Sequence, residues 1–139
     1  MKKATFLAVA FATTALFGLI GCGHDHEPPE ILNFTVTPSS MNAGDTITGD
    51  VETLNWTLTS HDHEDEGGHD HGEGNAGHYH VYLDDLMTNP LSMPDVNPFE
   101  IPMPVDATPG EHTLIIRLQN ADHTILEPQV TFSATITVQ

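Results

Sequence analysis

Histidines two positions apart recur along this sequence of 139 residues. The chain has ten histidines, and eight of them form four such pairs: His24/His26, His61/His63, His69/His71 and His78/His80. The neutral imidazole is a common ligand of Zn²⁺, and Cu²⁺ and Ni²⁺ accept the same nitrogen donor. The residue types and their spacing therefore favour binding of a divalent transition metal.

The last pair lies in a segment that alternates between apolar and polar residues, the period of a half-buried strand. Val81 and Leu83 are expected to face the core, which places His78 and His80 together on the outer face. Residues i and i+2 are about 6.6–7 Å apart along a strand, so both rings can reach one metal ion. A third ligand would come from His123 or from the preceding loop. The alternative is a pair of solvated histidines on an exposed face.

That preceding loop, residues 60–77, has no apolar side chain larger than alanine and cannot pack into a core. It contains His61-Asp62-His63 and His69-Asp70-His71, and it resembles the histidine- and acid-rich loops of bacterial zinc-uptake solute-binding proteins and other metal-trafficking proteins. The resemblance implies metal capture by its four histidines. We expect weak, pH-sensitive binding because protons compete for imidazole near pH 6–7. The alternative is a solvated insertion without a role.

The N-terminal residues have the pattern of an export signal. Lys2 and Lys3 precede an apolar run from Ala4 to Ile20, and the chain becomes polar after Leu19-Ile20-Gly21-Cys22. This ending resembles the lipobox of bacterial lipoproteins, which implies removal of residues 1–21, lipidation of Cys22 and residence in the cell envelope. Gly23 replaces the aspartate of inner-membrane retention signals, so the outer membrane is preferred. An ordinary secretory peptide with a chance cysteine is the alternative.

The charge balance restricts the partners. The chain has 3 Lys and Arg against 20 Asp and Glu, a formal net charge of −17. Such an acidic surface argues against nucleic acid and anionic lipid headgroups as partners and favours cations. Cys22 is the single cysteine, so no disulfide forms within the chain.

Beyond a polar tether at residues 22–29, alternating apolar residues separated by turn sequences predict about seven strands and no helix. One of these strands is expected to continue past a bulge through Leu58. The pattern predicts an all-β fold, an antiparallel β-sandwich over residues 30–139 with the insertion at 60–77. Two hairpins, Pro29 to Val51 and Phe99 to Asp122, resemble those of bacterial immunoglobulin-like domains. Residues 30–139 are therefore expected to have an immunoglobulin-like topology.

That topology would gather most histidines at one end of the sandwich. The insertion, the turn carrying His123 and the start of the first strand share this end, and His24 and His26 would be nearby as secondary ligand candidates. His112 belongs at the opposite end. Arg117 should face outward, with a carboxylate partner such as Asp84.

These features predict a membrane-anchored extracytoplasmic protein that buffers, scavenges or transfers a divalent metal, with Zn²⁺ favoured over Cu²⁺ and Ni²⁺. A membrane-bound metal donor or acceptor would be a fitting partner. The alternative is an adhesion module that binds a protein or glycan. An enzyme is not expected: His78-Tyr79-His80 is similar to the His-x-His strand of copper-zinc superoxide dismutases, but their disulfide and downstream ligands are missing.

Overall fold

The computed structural model describes residues 27–59 and 75–139. Within these ranges the chain forms eight strands: β1 Glu30–Thr37, β2 Ser40–Met41, β3 Thr46–Leu54, β4 Thr57–Leu58, β5 Ala76–Leu83, β6 Phe99–Pro102, β7 Gly110–Asn120 and β8 Thr131–Val138. The described residues contain no helix with the length and hydrophobicity needed to span a bilayer. The predicted signal peptide and most of the insertion lie outside the described residues, with these candidate residues: Cys22, His24, His26, His61, His63, His69 and His71.

The strands form two sheets that pack face to face. One sheet has the order β1-β3-β6 and the other the order β2-β8-β7-β5-β4. All pairings are antiparallel except β2 with β8 and β4 with β5. The predicted all-β sandwich is confirmed, and β1-β3-β6 opposite β8-β7-β5 is the strand order of an immunoglobulin-like domain. The two-residue strands β2 and β4 were not predicted.

The core lies between the sheets and is built by the alternation that the sequence shows. Every second residue of β3, β6 and β7 points inward, and the most deeply buried side chains include Ile47, Val81, Ile101, Leu114, Ile116, Leu118 and Ile136, each at most 1% exposed. Each such side chain contributes about 1.5–3 kcal/mol through its removal from water. The residues of β5 and β7 that pack into the core are thereby determined, and the residues between them must lie on the opposite face of the sheet.

The path between β3 and β5 differs from the prediction. The strand does not continue through Leu58, because Asn55 adopts a positive φ of 54° that ends the extended conformation. The chain then crosses to the other sheet, where the Thr57 amide donates to Asn75 O (2.9 Å) and the Thr59 amide to Gly77 O (2.8 Å). Both ends of the insertion are therefore held at the first residues of β5.

Candidate metal centre

The pairing of β5 with β7 positions two histidines. His78 lies opposite Gln119 and His80 opposite Arg117, while Tyr79 between them packs into the core. The strands approach closely at the preceding residue: a Cβ on Gly77 would lie 2.0 Å from Gln119 O. Glycine therefore permits the register that places both imidazoles on the outward face of the five-stranded sheet.

The two imidazoles converge on a common point. The Nε2 atoms of His78 and His80 are 3.0 Å apart, and the ring centroids are 5.0 Å apart. Two nitrogens bound at about 2.0–2.1 Å to a tetrahedral Zn²⁺ are about 3.3–3.4 Å apart. The observed separation suits an N–H···N hydrogen bond. A slight increase in the distance between the two nitrogens would allow both to bind one tetrahedral Zn²⁺.

A third imidazole comes from the turn after β7. The ring centroid of His123 is 4.6 Å from that of His78 and 5.7 Å from that of His80. One nitrogen from each of the three rings lies within 4.8 Å of the other two. His123 is exposed and has a positive φ of 64°, and its amide donates to Asn120 O at 2.9 Å. Because the ring is exposed, it can adjust its position to share an ion with the other two.

The environment of this face does not fit the alternative of two solvated histidines on an exposed face. His78 is 1% exposed, His80 8% and Tyr82 2%, so the outward face is buried where they lie. A buried polar side chain needs hydrogen-bond partners. His80 Nδ1 lies 3.1 Å from the Tyr82 hydroxyl, which makes part of this face a hydrogen-bonded interior.

The predicted pairing of Arg117 with Asp84 is wrong. Arg117 is buried, and its guanidinium donates to the Tyr82 hydroxyl and to Gln119 Oε1. Asp84 follows the far end of β5, where it accepts hydrogen bonds from the Thr113 amide (2.8 Å) and from His112 Nδ1 (2.7 Å). The antiparallel register separates the two residues along the strands, because Arg117 faces His80.

His112 lies at the opposite end of β7 from the three clustered histidines, as predicted. Its second ring nitrogen, Nε2, is 2.7 Å from Thr108 O. The hydrogen bond to Asp84, and then that to Thr108, raises the pKa of His112 above its usual value. The Thr113 amide is the main cause that lowers the pKa of Asp84. Both nitrogens of His112 are engaged within the fold, so it is a structural residue.

The alternation that puts His78 and His80 on the outer face of β5 predicts Tyr82 there as well, whereas sequence reasoning did not find Gln119 as a neighbour of the cluster. Both lie an even number of positions from residues on the same face: Tyr82 follows His80 by two on β5, and Gln119 follows Arg117 by two on β7. A single sequence does not give the register between the two strands, and this register determines which residues lie opposite each other.

No family model, curated protein or solved structure matches the chain. The geometry supports one chemical conclusion: His78, His80 and His123 form a group of three imidazoles that could hold a metal ion.

Proposed function

We propose that this protein is an extracytoplasmic lipoprotein that binds a divalent transition metal and buffers, scavenges or transfers it. The observation that carries the proposal is the convergence of three imidazoles, two of them buried, with the Nε2 atoms of His78 and His80 only 3.0 Å apart. Two imidazole nitrogens this close can share a hydrogen bond or, after a small opening, a cation, and the third ring beside them supports a three-nitrogen metal site.

Zn²⁺ is the favoured metal because of the donor set. Three imidazoles leave one position of a tetrahedron open to water or to an incoming ligand, which is the usual arrangement in zinc sites that exchange ligands. Cu²⁺ and Ni²⁺ also bind imidazole but prefer square-planar or tetragonal geometry. An open position suits buffering and transfer, because an acceptor can bind the ion before the protein releases it.

The insertion supports the same function. Thr59 and Asn75 are hydrogen-bonded beside the first residues of β5, so the intervening segment starts and ends next to the cluster. We propose that its histidines, His61, His63, His69 and His71, capture further ions more weakly. The net charge of −17 raises the local concentration of cations around the whole protein.

Isothermal titration of the purified protein with Zn²⁺, Cu²⁺ and Ni²⁺ tests the proposal. We expect one tight site that is lost in His78→Ala/His80→Ala. The matched control is His112→Ala, which removes a histidine from the opposite end of the same sheet and should leave that site unchanged. Binding no tighter than roughly 100 μM by the unmodified protein, far weaker than structural zinc sites, would refute the proposal.

A variant in which a short glycine-serine linker replaces residues 61–73 separates the two classes of site. It should keep the tight site and lose the weaker, additional ions. Loss of all binding would instead assign the metal to the insertion.

A further inference from the structure

Three buried polar side chains that are not themselves proposed ligands lie beside the histidine cluster. They are Tyr82, Arg117 and Gln119, which are 2%, 8% and 2% exposed. Desolvation of a guanidinium costs several kcal/mol unless its donors are satisfied. Among the described residues no carboxylate forms an ion pair with Arg117, which donates instead to the neutral oxygens of Gln119 and Tyr82. These two hydrogen bonds hold the buried guanidinium beside the histidine cluster.

The three side chains connect two of the proposed ligands. His80 Nδ1 is 3.1 Å from the Tyr82 hydroxyl, and Arg117 Nη2 donates to the same hydroxyl oxygen. Arg117 Nε donates to Gln119 Oε1 at 3.1 Å, and Gln119 Nε2 donates to the backbone carbonyl of His123. The hydrogen-bond chain thus begins on the ring of one ligand and ends on the backbone of another.

The direction of these bonds matches a metal-bound state. A metal on Nε2 of His80 leaves the ring proton on Nδ1, so His80 must donate to the Tyr82 oxygen. A hydroxyl oxygen has two acceptor positions, and Arg117, which has donors only, occupies the other. The planar guanidinium also fixes the angle between its bonds to Tyr82 and Gln119. The His80 ring and the His123 turn are therefore held in one frame.

We propose that Tyr82, Arg117 and Gln119 are positioning residues for the metal site: their hydrogen-bond chain holds the His80 ring with Nε2 directed at the ion and ties the turn of His123 to it. The inference rests on the proposed metal binding. None of the three contacts the ion. Residues that support metal ligands in this way typically contribute about 10–100-fold to metal affinity.

Tyr82→Phe tests the chain, because it removes one hydroxyl and keeps the ring. We expect the zinc affinity of the folded variant to fall about 10–100-fold. The melting temperature should fall as well, because buried donors of Arg117 and His80 lose their shared acceptor. The matched control is Tyr79→Phe, three residues earlier on the same strand, where the ring is equally buried but faces the core and the hydroxyl bonds to Thr53. Its zinc affinity should stay within about twofold, below the effect of outer hydrogen-bond partners.

A spectroscopic signature separates positioning from packing. In the zinc-loaded protein the Nδ1 proton of His80 should give a protected, downfield NMR resonance, and Tyr82→Phe should abolish it. Arg117→Lys keeps the charge but cannot donate in the same fork, so it should also weaken zinc binding. Should Tyr82→Phe fail to fold, Arg117→Lys alone tests the chain by the same two measurements.

The link to the turn has its own test. If Gln119 holds the turn, removal of the His123 ring should cost less zinc affinity in a Gln119→Leu background than in the unmodified protein. Equal losses of zinc affinity in both backgrounds would show that Gln119 does not support the turn of His123. If the unmodified protein binds zinc tightly and Tyr82→Phe and Arg117→Lys bind it equally well, the positioning role is wrong while metal binding stands. If the unmodified protein binds no zinc, both proposals fail.

Discussion

At the scale of single residues, the three clustered histidines are not equivalent. His78 and His80 are buried on a strand and have little room to move, whereas His123 is exposed on a turn with a positive φ of 64°. The site therefore combines two fixed donors with a third whose ring can rotate toward the ion and away from it while its backbone stays bonded to Gln119. Entry and release of the ion are expected on the side of His123.

His123→Gly separates the imidazole from its backbone. Glycine adopts a positive φ without steric cost, so the free energy of unfolding should stay within about 1 kcal/mol of the unmodified value. Zinc affinity should fall at least about tenfold, because a direct ligand is lost. Outer hydrogen-bond partners alone typically contribute about 10–100-fold. Titration calorimetry and thermal denaturation without metal measure the two quantities. Unchanged affinity would leave a site of two histidines only.

A second residue-scale prediction concerns the pair at the opposite end. The raised pKa of His112 means that its stabilising charge is fully present below pH 6.5 and is lost as pH rises through the higher folded-state value. The lowered pKa of Asp84 gives a contribution that is present above pH 3.8 and is lost as pH falls through the lower folded-state value. The pair should stabilise most between these two limits.

The effect is limited to about 1 kcal/mol, since 51% of the Asp84 side chain is exposed and water screens the pair. Thermal denaturation from pH 5 to 8.5 with a chelator present should show stability declining at higher pH, and His112→Gln should reduce that decline. The variant is compared with the unmodified protein, so titration of the other histidines cancels. Parallel curves for the two proteins would show that the pair contributes nothing.

At the scale of elements, the close antiparallel pairing of β5 with β7 determines the geometry of the site. A Cβ on Gly77 would lie 2.0 Å from Gln119 O, so Gly77→Ala must push the start of β5 away from β7. Gly110 serves as the control: it has a φ of 136°, and its Cβ would meet nothing within 4 Å. Both variants should lose about 1–3 kcal/mol of stability. Only Gly77→Ala should also lose zinc affinity, measured by calorimetry on folded protein. If both variants keep the zinc affinity of the unmodified protein, the close pairing of β5 with β7 does not determine the site.

Elements also show how far the sequence alone could lead. Alternation around Val81 predicts that His78 and His80 share a face, and the 3.0 Å between their Nε2 atoms agrees with this prediction. Local patterns decide such features. The change of sheet at Asn55 depends on one positive φ and on long-range bonds, which no period reveals.

The partners of the site follow a similar rule. Proximity of His123 to the strand histidines is predictable from topology, because hairpin ends in a sandwich meet at one pole. The burial of His80 and the contacts of Arg117 depend on the register of β5 and β7, a non-local property. A single sequence therefore predicts which residues gather, and only the packed structure predicts which residues support them.

At the scale of the whole molecule, charge and topology both bear on location. A net charge of −17 repels anionic lipid headgroups, so electrostatic adsorption would not hold the protein at a membrane. The proposed anchor at Cys22 would have to do so alone. A tether of about eight residues spans at most roughly 25–29 Å, and β1 starts at the pole of the histidine cluster. The proposed metal site would then face a membrane-bound donor or acceptor.

Cys22→Ser tests this arrangement in cells that express the full chain. Each buried CH₂ of an acyl anchor contributes about 0.8 kcal/mol, so the unmodified protein should fractionate with membranes and resist a high-salt wash. The variant has no thiol to acylate and should move to the soluble fraction, while its purified domain keeps the same zinc affinity. His112→Ala, which leaves the N-terminus intact, should stay with the membranes. A Cys22→Ser protein that remains membrane-bound after the salt wash would show that something other than the lipid holds it there.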